Sequence, residues 1–526
     1  MKKAKCSTPF STLALALSLL ACGAAQAEWI KSYGTKNSEY GSAKPSSQGG
    51  YYLSMQSTPS GGNSKPVALL SLLNANGDPA WTKKITTGNY DSFLLSELSS
   101  GRILLQGTTQ QSATSPGNAV WAVYNVNRAT GALSPVFSKT YKGKGDDLLA
   151  VTQDSSGVLW GTGSTTSFSQ DGKGTDMILA KFDANTGSPA WSKVYRYDYK
   201  NSIAAFIPKN NQFILLTNTQ NTGADSQKIL LGLLNNLGVP AAGSFKKYGG
   251  NGVNTAIGIK AISGGNYLVY GSNQTTAADQ NPTIFAMKLD SNLNYVWGKK
   301  YAAGSDQGLT ISDINENANG SLTFSGNLKT TVYFDQGGFH IPLYTSQHPA
   351  VMQISSTGAF ISGKSFEYQE LDSGDFSKNA DGSYLLGGQT MAFNLSGGGA
   401  GNIDALYGHF SADVEPDWIK TLGGSKIDIG SIRPQSGIYE LSGATSSWGA
   451  GNLDVLAGKL DANGDVPGCS YISEVSMTET ALNISAVDLN WQAQAAVLVK
   501  KGAISSANIA LKVTTAAITA TNVCNH

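Results

Sequence analysis

The 526-residue chain is poor in residues that carry charge and redox chemistry, with four cysteines, four histidines and only 14% Asp, Glu, Lys and Arg. Low charge beside 40% hydrophobic residues excludes the disordered class, which pairs low hydrophobicity with high net charge. The formal net charge is +1 with no basic stripe, which argues against nucleic acid or anionic lipid as the main partner. Beyond the N-terminus no apolar run approaches the roughly 20 residues of a membrane helix. Nor does any window sustain the i, i+3, i+4, i+7 spacing of an amphipathic helix. Proline is sparse at 16, whereas glycine reaches 61, and Ser, Thr, Asn and Gln supply much of the polarity. That composition suits many short strands joined by tight turns.

The N-terminus, "MKKAKCSTPFSTLALALSLLACGAAQAE", reads as an export signal. Lys2, Lys3 and Lys5 precede the apolar run Leu13 to Ala21, and Ala25-Gln26-Ala27 forms a small-residue cleavage site before Glu28. A second reading competes, because Leu19 to Gly23 resembles a lipoprotein box with Cys22 as the acylated residue. Removing residues 1–27 leaves 34 basic against 36 acidic side chains. Cys6 leaves with the signal, as does Cys22 on the first reading, so Cys469 and Cys524 remain. Two cysteines in an oxidising compartment most simply form one disulfide, here tying the C-terminal segment to the main body. Two unrelated thiols are the alternative.

The body is repetitive. An aromatic or apolar residue followed by Lys recurs at "WIKSYG" (29), "WTKKI" (81), "FSKTY" (137), "WSKVY" (191), "FKKYGG" (245), "WGKKY" (297), "ISGKSF" (361) and "WIKTLGG" (418), at spacings of 52 to 64 residues. Each anchor is followed by a weak apolar run, a second run opened by Gly or Asn, and a third run such as "DMILAKFD" (176) or "DVLAGKLD" (454). Runs of five to eight residues bounded by turn residues read as strands. Four strands in each of eight units predict an all-β, eight-bladed β-propeller over residues 28–468, with seven closed blades as the alternative. "WIKSYG" is then an orphan outer strand, expected to pair with Asp454 to Asp461 and close the ring, removing open edges. Residues 469–526 lie outside the repeat. Their alternation of small polar and apolar residues predicts a C-terminal β segment, either an appendage or a strap across the last blade. The widest unit carries "TTVYFDQGGFHIPLYTSQH", read as its most irregular loop.

One corner is specific. "AKFDANTGSPAWSKVY" contains D-x-x-T-G-x-x-x-W, formed by Asp183, Thr186, Gly187 and Trp191. Thr186-Gly187 supplies a tight turn, Asp183 can accept its backbone N–H bonds, and Trp191 can wedge against the neighbouring blade. Trp81, Phe137, Trp297 and Trp418 follow degenerate copies, and Trp29 and Phe245 are anchors of the same kind, so blade docking is the favoured reading. The motif resembles the tryptophan-docking pattern of the quinoprotein-type propeller superfamily, a resemblance that covers nearly the whole body but is specific only at this corner, and exported bacterial W-x-K-x-Y-G-G repeat proteins look closer still. The resemblance implies a propeller. It implies quinone chemistry less well, because the adjacent Cys-Cys pair of the dehydrogenases and a C-x-x-C-H haem site are both missing.

Other constellations are thin. Of His340, His348, His409 and His526, the first two share one loop without a strong third ligand. "DANGD" (461–465) begins like a calcium loop, but Val466 and Ile472 stand where an EF-hand needs Gly and Glu. Three Gly-rich loops (169–176, 396–404 and 446–454) each run up to an Asp, and a repeated strand entry accounts for them. Acidic residues look scattered, and no nucleophile elbow is present. The expectation is a non-enzymatic binding or scaffolding protein of the bacterial envelope or extracellular space, with a protein or glycan partner at the cell surface. No cofactor is expected, calcium being the one metal to consider. The alternatives are a quinone- or metal-dependent oxidoreductase of the PQQ-like propeller type and a surface lipoprotein in envelope assembly.

Overall fold

A computed structural model describes residues 28–524 except 60–64, 143–144, 168–173, 210, 224–225, 278, 280, 337–338, 370, 392–402, 436, 490, 492 and 503–504. The signal and lipobox readings (residues 1–27, with Cys6 and Cys22), His526, and much of the loops at 169–176 and 396–404 lie outside these residues. The fold is all-β, a β-propeller in class, and no described helix is long and apolar enough to cross a membrane.

The sheets form as strand chemistry requires. In Asp147–Gln153 every second residue is buried, as in a strand with one covered face. Its neighbours Leu159–Thr165 and Asp176–Phe182 follow in antiparallel order, the latter buried almost throughout, and Pro189–Arg196 comes last. Four other sheets repeat this order. A sixth, of 15 strands, contains three such groups joined by single-residue bridges, Gln347↔Leu371 and Gly388↔Gly430. Its last group is completed from the far end of the chain: Trp29–Gly34 lies antiparallel to Asp454–Leu460, with Trp29 opposite Lys459 and Tyr33 opposite Val455.

The stretch read as an irregular loop is instead a long hairpin, Leu322–Gln336 against Phe339–Ile354. Runs of strand-forming residues on either side of Gly337-Gly338 in the sequence are a hairpin pattern that overrides the departure from the repeat.

The C-terminal segment does more than strap one sheet. Leaving the body at Cys469, it adds short antiparallel strands to the outer strands in reverse chain order. Ile472–Glu474 joins Pro416–Leu422, Thr478–Ala481 joins Phe360–Glu367, and Ser485–Asp488 joins Tyr295–Ala302. Gln494–Ala495, Val499–Gly502 and Ser505–Asn508 join Lys246–Tyr248, Pro189–Arg196 and Leu133–Lys142. Lys512–Ala516 joins Pro79–Thr86, and Thr519–Asn522 joins Trp29–Gly34. One circuit brings Cys524 back to Cys469, and the two form a disulfide with Cα atoms 4.8 Å apart. Between its strands the segment drives apolar residues into the seams: Leu482 and Ile484, Leu489 and Trp491, and Leu498 each join a separate hydrophobic cluster. Several anchor lysines bond to it: Lys83 to Thr515, Lys139 to Asn508, Lys299 to Asp488 and Lys364 to Glu479. A belt of short, polar strands thus covers outer edges that would otherwise present unpaired backbone.

Candidate functional site

The anchor aromatics sit at corners between neighbouring sheets. Trp29 Nε1 donates to Ala75 O at 3.0 Å, Trp81 to Arg128 O at 2.8 Å, Trp191 to Asn236 O at 3.0 Å and Trp297 to Ser356 O at 3.1 Å. Phe137 lies on Gly187, where a Cβ would come within 2.3 Å of its ring and φ is +66°. Trp418 lies likewise on Gly464. Phe245 differs, packing back over Gly232 of its own sheet. Asp183 Oδ1 accepts from the N–H groups of Asn185 and Thr186 and from the Thr186 hydroxyl, and these bonds hold its carboxyl below the usual range. Every group of the D-x-x-T-G-x-x-x-W motif is therefore engaged in the corner.

The acidic residues are less scattered than they look. Glu39, Asp91, Asp147, Asp372 and Asp428 are all buried near the start of the first strand of a group, and each accepts from a hydroxyl on the second strand. Asn201 and Asn254 stand at the same place. The first four partners (Ser57, Thr109, Thr165, Thr390) and Thr219 of Asn201 all lie 18 residues downstream. That fixed interval is readable in the sequence once the strands are aligned. These groups pin strand to strand and are not exposed for chemistry.

Against this repeated background one corner departs. Opposite the anchor Trp the third strand carries Lys181, Lys288 or Lys459 in three groups and Leu72 in another, but His409 opposite Trp418. Before the anchor stand Ala80, Val136, Ala190 and Val296, whereas acids, Glu28 and Asp417, precede Trp29 and Trp418; of these two anchors Trp418 faces a histidine and Trp29 faces Lys459. His409 Nδ1 and Asp417 Oδ2 are 2.7 Å apart, and the imidazole stacks on Trp418 at 24°. Tyr439 completes the cluster, its ring 6.1 Å from His409 and 5.4 Å from Trp418. In the turn 379–383, Asp381 accepts from the N–H and hydroxyl of Ser383. Asn319 makes the same two bonds to Ser321 in the preceding group, so the turn itself does not need a charge there. Local rules broken at one copy of a repeat mark a site rather than a scaffold requirement.

His409, Asp381 and Tyr439 border a cavity of about 330 Å³, with Pro434, Ile438 and Ala462 as apolar walls. The Ser383 hydroxyl and N–H, followed by the neighbouring His409, hold the Asp381 carboxyl below its ordinary range. Burial, then the charges of Asp381 and Asp417, push the Tyr439 phenol up and keep it protonated. A second cavity, of about 490 Å³, opens where glycines 374, 387, 388, 430 and 443 leave side-chain space, with Asp375 its carboxylate.

The other sequence candidates do not converge. His348 is buried with Nδ1 3.5 Å from Asp372, while the side chain of His340 is outside the described set. Among the described residues no group of three or more His, Cys, Asp or Glu could hold a metal. In "DANGD" Asp461 accepts from the N–H groups of Asn463 and Asp465, and Asp465 pairs with Lys420 at 2.7 Å. Its acids are committed to the turn. The Gly-rich loop at 446–454 ends with Ala450 N–H donating to Asp454 at 2.7 Å.

No protein-family model matches the chain, and no curated protein matches it. Solved structures do. A polysaccharide lyase aligns over 70% of this chain and 89% of its own at 9% identity and a TM-score of 0.39. An α-L-arabinofuranosidase from Fusarium graminearum aligns over 60% and 92% at 11% identity and a TM-score of 0.30. An α-L-arabinanase from Penicillium chrysogenum aligns over 70% and 92% at 10% identity and a TM-score of 0.29. The expectation of a non-enzymatic binding or scaffolding module stands corrected, since these matched structures are of enzymes named for polysaccharide or arabinan chemistry. At such identities the likeness bears on fold alone, so what this chain does must be argued from its own residues.

Proposed function

We propose that the protein is an enzyme that acts on a carbohydrate by proton transfer, in the cavity bordered by Asp381, His409 and Tyr439. The observation that carries this reading is the His409–Asp417 pair at 2.7 Å beside that cavity. With Nδ1–H donating to Asp417, Nε2 is the nitrogen left to take or give a proton. Tyr439, kept protonated by burial and its acidic neighbours, supplies a phenolic donor at the same cavity. Asp381, His409 and Tyr439 are the ionisable side chains among the residues described around the cavity, and each can give or take a proton. Apolar wall residues and the Tyr439 ring suit a sugar, which offers a C–H face to an aromatic surface and hydroxyls to polar groups. The cavity and its departure from the repeat support the reading; the fold alone does not.

The architecture that goes with it is eight blades, the five separate sheets plus the three groups of the 15-stranded sheet. The anchors support kinship with exported W-x-K-x-Y-G-G repeat propellers. The disulfide is consistent with an extracellular or periplasmic setting. A glycan outside the cytoplasm is the matching substrate.

The test is a panel of neutral and acidic polysaccharides incubated with purified protein, read by new reducing ends and by the ultraviolet absorbance of unsaturated uronates. Cleavage of one class, reduced about 10²-fold or more in His409→Ala, is expected. An inert panel, or full activity in His409→Ala, would refute the assignment.

A further inference from the structure

The junction that closes the body holds a pair of carboxylates with no positive partner among the described residues. Asp454 opens the last third strand and Glu39 lies near the start of the first strand of the adjoining sheet. Both are fully buried and their carboxyl groups are in contact. Each has one oxygen accounted for. Glu39 Oε1 accepts from the hydroxyls of Thr35 and Ser57, and Asp454 Oδ2 accepts from Ala450 N–H. The other two, Glu39 Oε2 and Asp454 Oδ1, have no hydrogen-bond donor. Two ionised carboxylates in contact and out of water repel strongly unless a positive charge lies between them.

The repeat shows what occupies this place elsewhere. Asp176 corresponds to Asp454, each opening a third strand. Tyr195 pairs with Met177 just as Tyr33 pairs with Val455, so Arg196 and Gly34 occupy the same register. Arg196 grips Asp176 through Nε at 2.5 Å and Nη2 at 2.9 Å. The adjoining strand there contributes neutral Asn201, whose N–H donates to Thr175 O as Glu39 N–H donates to Leu453 O. At the closing junction Gly34 stands in place of the tethered cation and Glu39 in place of the neutral amide; the preceding junction shares this pattern, with Gly423 and Asp428 beside Asp404, whose Oδ1 likewise lacks a donor. A side chain at position 34 would have to displace the Asp454 carboxylate, since a Cβ there would stand 1.9 Å from Asp454 Oδ1.

We propose that Glu39 Oε2 and Asp454 Oδ1 bind a divalent metal cation, calcium by preference, which takes the charge role of Arg196 at the junction where the ring closes. Carboxylate oxygens are ligands for a hard cation, and calcium tolerates the irregular geometry that two backbone-fixed acids impose better than magnesium does. Backbone carbonyls or water would complete its shell. The site is independent of the cavity at His409.

Thermal unfolding of metal-stripped protein at pH 7.5, with and without millimolar calcium or magnesium, is the first test. A saturable rise in midpoint with calcium is expected, together with calcium-displaceable terbium luminescence sensitised by Trp29 and Tyr33. Glu39→Gln should weaken calcium binding about tenfold or more by removing one of the two charges, whereas Asp375→Asn should leave it unchanged. The terbium measurement uses the unaltered protein, so poor folding of a variant leaves the proposal testable. A midpoint indifferent to calcium, with no terbium signal and a loss of stability on raising pH, would overturn it and leave the pair sharing a proton.

Discussion

Opening the disulfide tests the belt most directly. Reduction, or the pair of changes Cys469→Ala and Cys524→Ala, frees a loop whose ends are 55 residues apart. The chain-entropy relation for a loop of that length gives about 4 kcal/mol of lost constraint on the unfolded state. That figure bounds the effect on global unfolding. Locally the consequence is larger, because the belt strands are two to five residues long and mostly exposed. Without the covalent buckle each holds by a few backbone bonds and one or two seam residues such as Leu498 or Trp491. Short elements with little buried area open at low free energy, so the belt should peel from its free end, Thr519–Asn522 first, while the body stays folded. Hydrogen exchange followed by mass spectrometry reads this directly. Reduced protein should gain exchange in residues 505–524 and along the outer strands they cover, with third strands such as Asp176–Phe182 still protected. Unfolding should then split into two transitions. A single transition with unchanged belt protection would refute the reasoning, and would mean that seam packing alone holds the belt.

Gly187→Ala should destabilise the body by about 2 kcal/mol, since it places a methyl on the Phe137 ring at a left-handed backbone position; equal denaturation midpoints would reject the corner geometry. Burial raises the Glu440 carboxyl to about 7 and leaves its Oε1 without a partner. A carboxyl whose folded pKa is raised contributes stability below its unfolded value that is lost as pH climbs through about 7. Glu440→Gln should therefore gain on the order of 1 kcal/mol over the parent at pH 8 and little at pH 4, as read by chemical denaturation at the two pH values. Asp417→Asn should lower turnover at the cavity less than His409→Ala does while shifting its pH profile, because it orients the imidazole rather than touching substrate; an unaltered profile would separate Asp417 from the chemistry.

Much of the body was legible from its residues. Strand runs, turn glycines and the anchor pattern are local, and a 52- to 64-residue period repeats them often enough to expose the architecture. The pairing of Trp29–Gly34 with the strand at 454 followed from counting strands at the two ends. The cavity was not legible, although its signal is present. His409 and Asp417 are ordinary residues until they are compared, position by position, with the Lys and Ala or Val of the other groups, and that comparison needs the register of each strand pair.

By itself, then, the sequence determined what depends on neighbours along the chain: all-β strands, tight turns, one unit repeated, and two cysteines to join. Only the tertiary structure decided what depends on contacts far apart. The recurring anchor lysine looked like a mark of the repeat, yet Lys83, Lys139 and Lys299 bond to Thr515, Asn508 and Asp488, hundreds of residues away. The belt strands are too short and polar to declare a partner, because a strand of three or four residues specifies neither its register nor its neighbour. Their place is set by the exposed outer edges and apolar seams of the body, which exist only once the sheets have closed.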